Sequence, residues 1–80
     1  MIGLLRGEVW EPNTWRAWIF GPHNVRGAVV FCSHGHGMSI AGEPPFGSVH
    51  SINMNGVISP SVVCPHESCD YHEFVRLIGW

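Results

Sequence analysis

Two short segments of this 80-residue chain hold all three of its cysteines and four of its six histidines. Cys32-Ser33-His34-Gly35-His36-Gly37 lies in mid-chain, and Cys64-Pro65-His66-Glu67-Ser68-Cys69-Asp70-Tyr71-His72 lies some thirty residues on. Thiolate and imidazole are the preferred ligands of zinc, and structural zinc sites commonly take two ligands from each of two turns. Glycine permits the tight backbone that lets neighbouring side chains converge. In the first segment Cys32, His34 and His36 alternate: a straight strand puts all three on one face, whereas a turn at the glycines brings two of them to a point. In the second, Cys64-Pro65 followed by Cys69 has the look of a stretched zinc knuckle, and Cys69 with His72 forms an i, i+3 pair. A tetrahedral site takes four ligands, so Cys32, His34, His36, Cys64, Cys69 and His72 are more candidates than places. A lone cysteine is often just a small buried apolar group, and Cys64 is as open to that reading as to ligation. His23 and His50 stand apart from both segments and read as non-ligands.

These turns need a scaffold, and the chain around them is punctuated by glycine and proline at short intervals, with no sustained helical spacing of apolar residues. The expected fold is all-β or β-rich: a small, zinc-stapled antiparallel sheet, ribbon-like, forming one domain over residues 1–80. Strands are expected at Leu4 to Trp10, Thr14 to Phe20, Ala28 to Cys32, Ser48 to Ile52, Val57 to Val63 and Glu73 to Leu77. Asn53-Met54-Asn55-Gly56 ends in an Asn-Gly step and should fold Val49–Ile52 against Val57–Ser59 as a hairpin. Gly21-Pro22-His23-Asn24 reads as a second turn, Ala41 to Gly47 as a loop around Pro44 and Pro45, and Ser59-Pro60-Ser61 as a bend. Cys69 to Val75 fits a helical turn about as well as a strand.

Composition narrows the function classes. Net charge is −2, and the basic residues are four scattered arginines with no lysine. Duplex nucleic acid, which is held by dense Lys/Arg patches, is therefore not an expected partner. Three cysteines cannot pair fully within one chain, and no signal segment is evident, so a reducing, cytoplasmic location is expected. No apolar run approaches the roughly 18–20 residues that span a bilayer, so no membrane partner is expected. Four tryptophans are many for this length, and Trp10, Trp15 and Trp18 fall close together. They either fill the core or mark a binding face, and they leave a homodimer open.

The order Cys32, His34-Gly35-His36-Gly37, Ser59-Pro60-Ser61-Val62, Cys69-Asp70-Tyr71-His72, then Phe74, Arg76 and Trp80, resembles the family called domain of unknown function 6527. Members show a C-x-C-G-C-G turn, a strand ending in S-x-P-S or S-P-S, and a C-x-S-H segment leading to a final hydrophobic strand and tryptophan. They occur in phages and beside bacterial ubiquitin-like conjugation genes. The resemblance runs from Phe31 to Trp80 and leaves the first thirty residues unexplained. It implies Cys32, Cys69 and His72 as metal ligands, with His34 and His36 where the family often carries cysteine and the fourth place between them. Tyr71 stands where serine is common, and Cys64 is an addition.

The expected cofactor is a structural zinc ion, held by Cys32, His34 or His36, Cys69 and His72. The expected function is a noncatalytic interaction module, by the resemblance a phage or mobile-element accessory protein that engages a host protein in the host cytoplasm. One alternative is a zinc protein that binds single-stranded nucleic acid. Another is a small metal-dependent hydrolase with a base among Glu67, Asp70 and Glu73; eighty residues leave little material for its substrate pocket.

Overall fold

Alternating apolar and polar residues build three long strands that pair in succession. The computed structural model describes residues 1–8, 10–22, 24–41 and 50–80. In the central hairpins β2 (Thr14–Phe20) runs antiparallel to β3 (Val25–Phe31), and β3 runs antiparallel to β4 (Gly37–Ala41). Cross-strand partners share a face. The rows Trp15↔Val30↔Met38 and Ala28↔Ile40 therefore face inward, and all five of these residues are buried. The rows Arg16↔Val29↔Ser39 and Phe31↔Gly37 face the other side.

β1 (Ile2–Arg6) extends this sheet on the far side of β2, and β9 (Val75–Leu77) lies beyond it, giving the order β4-β3-β2-β1-β9. β1 is parallel to both of its neighbours, so the sheet is mixed rather than antiparallel throughout. Parallel neighbours usually need a long crossover. A short link suffices here because only Leu5↔Thr14 and Arg6↔Trp15 are in register, so the chain steps back by little more than one strand end.

Two small antiparallel pairs contribute to the same core: β5 (Ser51–Ile52) with β6 (Ile58–Ser59), and β7 (Val62–Val63) with β8 (His72–Glu73). Their Ile58 and Val62 join Leu4, Trp15, Val30, Val75 and Leu77 in one buried cluster that also contains Cys32, Cys64 and Tyr71. Trp15 is the largest of its fully buried side chains, and its indole N–H donates to the Ile78 carbonyl at 2.9 Å. Its ring lies 5.9 Å from Trp80, over which the Arg26 guanidinium stacks at 3.7 Å. These contacts fasten the last residues to the sheet.

The fold is all-β, with no helix among the described residues and none long and apolar enough to cross a membrane. β2 matches its expected span. β1 begins and ends earlier than expected: after the bend at Gly7-Glu8, Trp10 leaves the sheet and covers Phe31, their ring centroids 4.8 Å apart. β3 starts earlier, continuing through Gly27. β4 was not anticipated, although Met38 and Ile40 alternate with Ser39; the His-Gly steps before it read as turn. The strand expected at Val57–Val63 is divided at the cis Ser59–Pro60 bond, and the one at Glu73–Leu77 is divided at Phe74. Cys69 to Val75 takes the strand alternative. The Asn53–Gly56 hairpin forms, pairing Ser51↔Ser59 and Ile52↔Ile58, and the Asn53 side chain accepts the backbone N–H groups of Asn55 and Val57. The turn at 21–24 closes with Asn24 N–H donating to the Gly21 carbonyl. His23, the loop beyond Ala41 and the expected Val49 end of the hairpin lie outside the described residues.

Gly56 closes the hairpin with φ at +83°, where an added Cβ would sit 2.4 Å from the Leu77 carbonyl oxygen. Gly79 has a similar φ of +86° but nothing within 4 Å. Gly56→Ala therefore meets both backbone strain and a backbone clash, and should cost at least about 2 kcal/mol. That corresponds to a fall in Tm of roughly 10 °C, against a clearly smaller loss for Gly79→Ala. Thermal melts of the two variants check the difference.

Candidate metal centre

The β3–β4 turn is a three-residue hairpin loop. Gly35 N–H donates to the Cys32 carbonyl at 2.9 Å, and Cys32 N–H donates to the His36 carbonyl at 3.0 Å. Gly35 takes φ at +84°, the left-handed residue that commonly completes such a loop. This brackets the loop with Cys32 and His36 and brings their side chains together. The β7–β8 connection is tied likewise: Cys64 N–H donates to the Tyr71 carbonyl at 3.0 Å, and Cys69 N–H to the His66 carbonyl at 2.9 Å. It presents Cys64 and Cys69.

The two tips meet. The ligand atoms of Cys32, His36, Cys64 and Cys69 all lie within 4.8 Å of one another. Cys32 Sγ is 3.4 Å from His36 Nδ1 and 3.7 Å from Cys69 Sγ, and Cys64 Sγ is 3.6 Å from the same His36 nitrogen. The Cys32–Cys69 separation is far beyond the roughly 2.05 Å of a disulfide, and all three cysteines are free. This group of three thiols and one imidazole can hold a metal ion. Cys32 and Cys64 are buried, while His36 and Cys69 are half-buried at the rim.

The electrostatics favour the same use. Burial opposes ionisation of Cys32. The backbone N–H groups of His34 and His36 and the thiols of Cys69 and Cys64 outweigh it, holding the Cys32 thiol below its ordinary range. The His34 N–H is 3.3 Å from that sulfur. Cys69 receives the Tyr71 backbone N–H, which favours its thiolate, but burial and the adjacent Cys64 and Cys32 sulfurs push the thiol up to about 11. One thiolate thus forms readily and a second is resisted by the first, a conflict that a cation between them removes. Burial, followed by repulsion from the His66 and His34 rings, holds His36 below its usual value and keeps it in the neutral form that ligates metals. Burial also pushes the Tyr71 phenol up to about 12, aided by the charges of Glu73, Cys32 and Cys69. Its hydroxyl is buried with no hydrogen-bond partner among the described residues.

Among the residues singled out from sequence, Cys32, His36 and Cys69 are in the group, and Cys64, left open there, joins them. His34 stands beside it: its Nδ1 is 3.5 Å from Cys69 Sγ, in reach of a hydrogen bond to that sulfur. His72 is not brought to the group. It lies on β8, exposed, with its Nε2 2.6 Å from the Ser61 hydroxyl across the β7–β8 pair. Tyr71, the residue just before β8, is buried, and alternation along the extended backbone turns its neighbour His72 outward. His66, which the sequence did not mark, stacks on His36 with centroids 4.0 Å apart and planes 5° from parallel. Comparison of the chain with protein-family models, with curated proteins and with solved structures returned no match.

Cys64→Ser should weaken metal binding by at least about 100-fold, whereas His72→Ala should change it by less than about threefold. Competition against a chromophoric chelator measures both. The sign of the pH dependence follows from Cys69: its thiol is raised to about 11 and so is protonated at neutral pH. Metal binding must displace that proton, so affinity should rise at least about tenfold per pH unit across the neutral range and fall on acidification. Calorimetry in buffers of different ionisation enthalpy should show at least one proton released per metal bound.

Proposed function

We propose that the protein is a noncatalytic, zinc-stapled β-module that presents a surface to a protein partner. The observation that carries the zinc assignment is the size of the ligand group. Tetrahedral zinc, with bonds of about 2.3 Å to sulfur and about 2.0–2.1 Å to imidazole nitrogen, separates two sulfurs by about 3.8 Å and a sulfur from a nitrogen by about 3.5 Å. Three of the six separations match these distances, 3.7 Å between Cys32 and Cys69, 3.4 Å between Cys32 and His36, and 3.6 Å between Cys64 and His36, and all six lie within 4.8 Å. Zinc held by Cys32, His36, Cys64 and Cys69 would link the two hairpin tips and neutralise their thiolates. A thiolate-rich donor set with two buried members suits zinc better than hard, oxygen-seeking cations.

A structural role fits better than a catalytic one. Four protein ligands fill a tetrahedral shell, whereas catalytic zinc keeps one position for water or substrate. The carboxylates that the sequence offers as a base, those of Glu67, Asp70 and Glu73, are not in the ligand group, and Glu67 and Asp70 are exposed. Interaction is the remaining reading, supported by Trp10 and Trp18, which are 66% and 49% exposed in a protein with little core to spare. The resemblance of residues 31–80 to domain of unknown function 6527 adds the proposal that the partner is a host protein met by a phage or mobile-element product in the host cytoplasm.

If zinc is the staple, protein purified without chelator carries one zinc per chain, and removing it lowers Tm by more than about 10 °C, restored on adding zinc back. Melting that a strong chelator leaves unchanged would remove the structural role.

A further inference from the structure

Outside the metal centre, a concavity lies on the outer face of the β2–β3–β4 sheet. It is a groove of about 340 Å³. Its floor is made of small residues, Val29, Ser39 and Gly37, and its sides carry Trp10, Trp18 and Phe31. Phe31 and the Trp10 ring close tightly over Gly37: a Cβ added there would lie 3.2 Å from each. Trp10 is held in place at its other end, its indole N–H donating to the Gly35 carbonyl at 2.5 Å. The groove therefore offers two indoles, the Trp10 ring held by its hydrogen bond and by Phe31, beside the small residues of the sheet face, surroundings that suit a planar ring.

Arg16 also lines the groove. The other three arginines are engaged: Arg6 over the Trp15 ring, Arg26 with Trp80, and Arg76 with the Asn55 carbonyl. Arg16 is half-buried, and among the described residues its guanidinium has no carboxylate, carbonyl or ring partner. A partly desolvated guanidinium between apolar walls is an incomplete arrangement that a carboxylate or phosphate oxygen pair would complete with two parallel hydrogen bonds. Ser39 opposite adds one hydroxyl. Among the described residues one cation lines the groove and answers one anionic group, which sets this site apart from the repeated positive charges that track a nucleic-acid backbone. The volume falls within the range of small-ligand sites.

We propose that this groove binds a planar, unsaturated ring bearing a single anionic group, with the ring against Trp10 and Trp18 and the anion on Arg16. The anion is a carboxylate or a phosphate. This reading is independent of the zinc assignment and is tested on the metal-loaded protein. Three probes are titrated while tryptophan fluorescence and the indole N–H resonances are followed: indole-3-acetate, uridine 5′-monophosphate and the neutral indole-3-acetamide. At least one anionic probe is expected to saturate in the millimolar range or below, shifting the Trp10 and Trp18 signals and leaving that of buried Trp15 unmoved. The neutral amide and the Arg16→Gln variant should each cost at least about tenfold in affinity, and Trp18→Ala should do the same with Arg16 intact. Tighter binding of the acetate assigns a carboxylate; tighter binding of the nucleotide assigns a phosphate. Absence of saturation with both anions, or equal binding of acid and amide with no effect of Arg16→Gln, overturns the proposal.

Discussion

Three sulfurs held within a few ångströms of one another, two of them inside the core, are the constraint on which the rest of this structure turns. Thiolates at that distance repel and neutral thiols gain little from the contact, whereas a cation at the centre of the group would be held by all four side chains. The backbone is already shaped for one. Each hairpin tip contributes two ligands, one from either side of its loop, and the N–H of His34 points at the Cys32 sulfur. The neutral state of His36 and the conflict between Cys32 and Cys69 are two expressions of that demand.

The sheet and the centre support each other through the segment joining β1 to β2. Asn13 N–H donates to the carbonyls of Phe31 and Cys32, and Trp10 reaches the Gly35 carbonyl, so this segment clasps the Cys32–His36 turn from the outside. The same contact lays Trp10 on Phe31, burying an aromatic on the face of the sheet away from the core. One loop therefore does three things: it allows β1 to lie parallel to β2, braces the Cys32–His36 turn and raises one wall of the aromatic groove. A domain this small has a thin core, and such cross-bracing together with a metal staple is how thin cores hold a single arrangement.

The Cys/His turns were readable from sequence because cysteine, histidine and glycine concentrate there, and so was β2, which turn residues bound on either side. The choice of ligands was not. Cys32, His34 and His36 are equivalent by spacing, and only the left-handed Gly35, which pairs Cys32 with His36 across the loop, separates them. His72 looked equivalent to Cys64 by proximity to Cys69, but it opens a two-residue strand directly after the buried Tyr71 and so faces outward, and strands that short leave little periodic trace. β4 was hidden by the same glycines that make the turn. The parallel placement of β1 rests on contacts between residues more than seventy positions apart, such as Ile2 with Val75, which no local pattern encodes.

X-ray absorption at the zinc edge of the purified protein tests the central claim most directly, because it counts ligands by type. Zinc bound as described gives three sulfurs at about 2.3 Å and one imidazole nitrogen at about 2.0 Å. A shell with two imidazoles, with fewer than three sulfurs or with oxygen donors, or a protein that takes up no zinc at all, would contradict it.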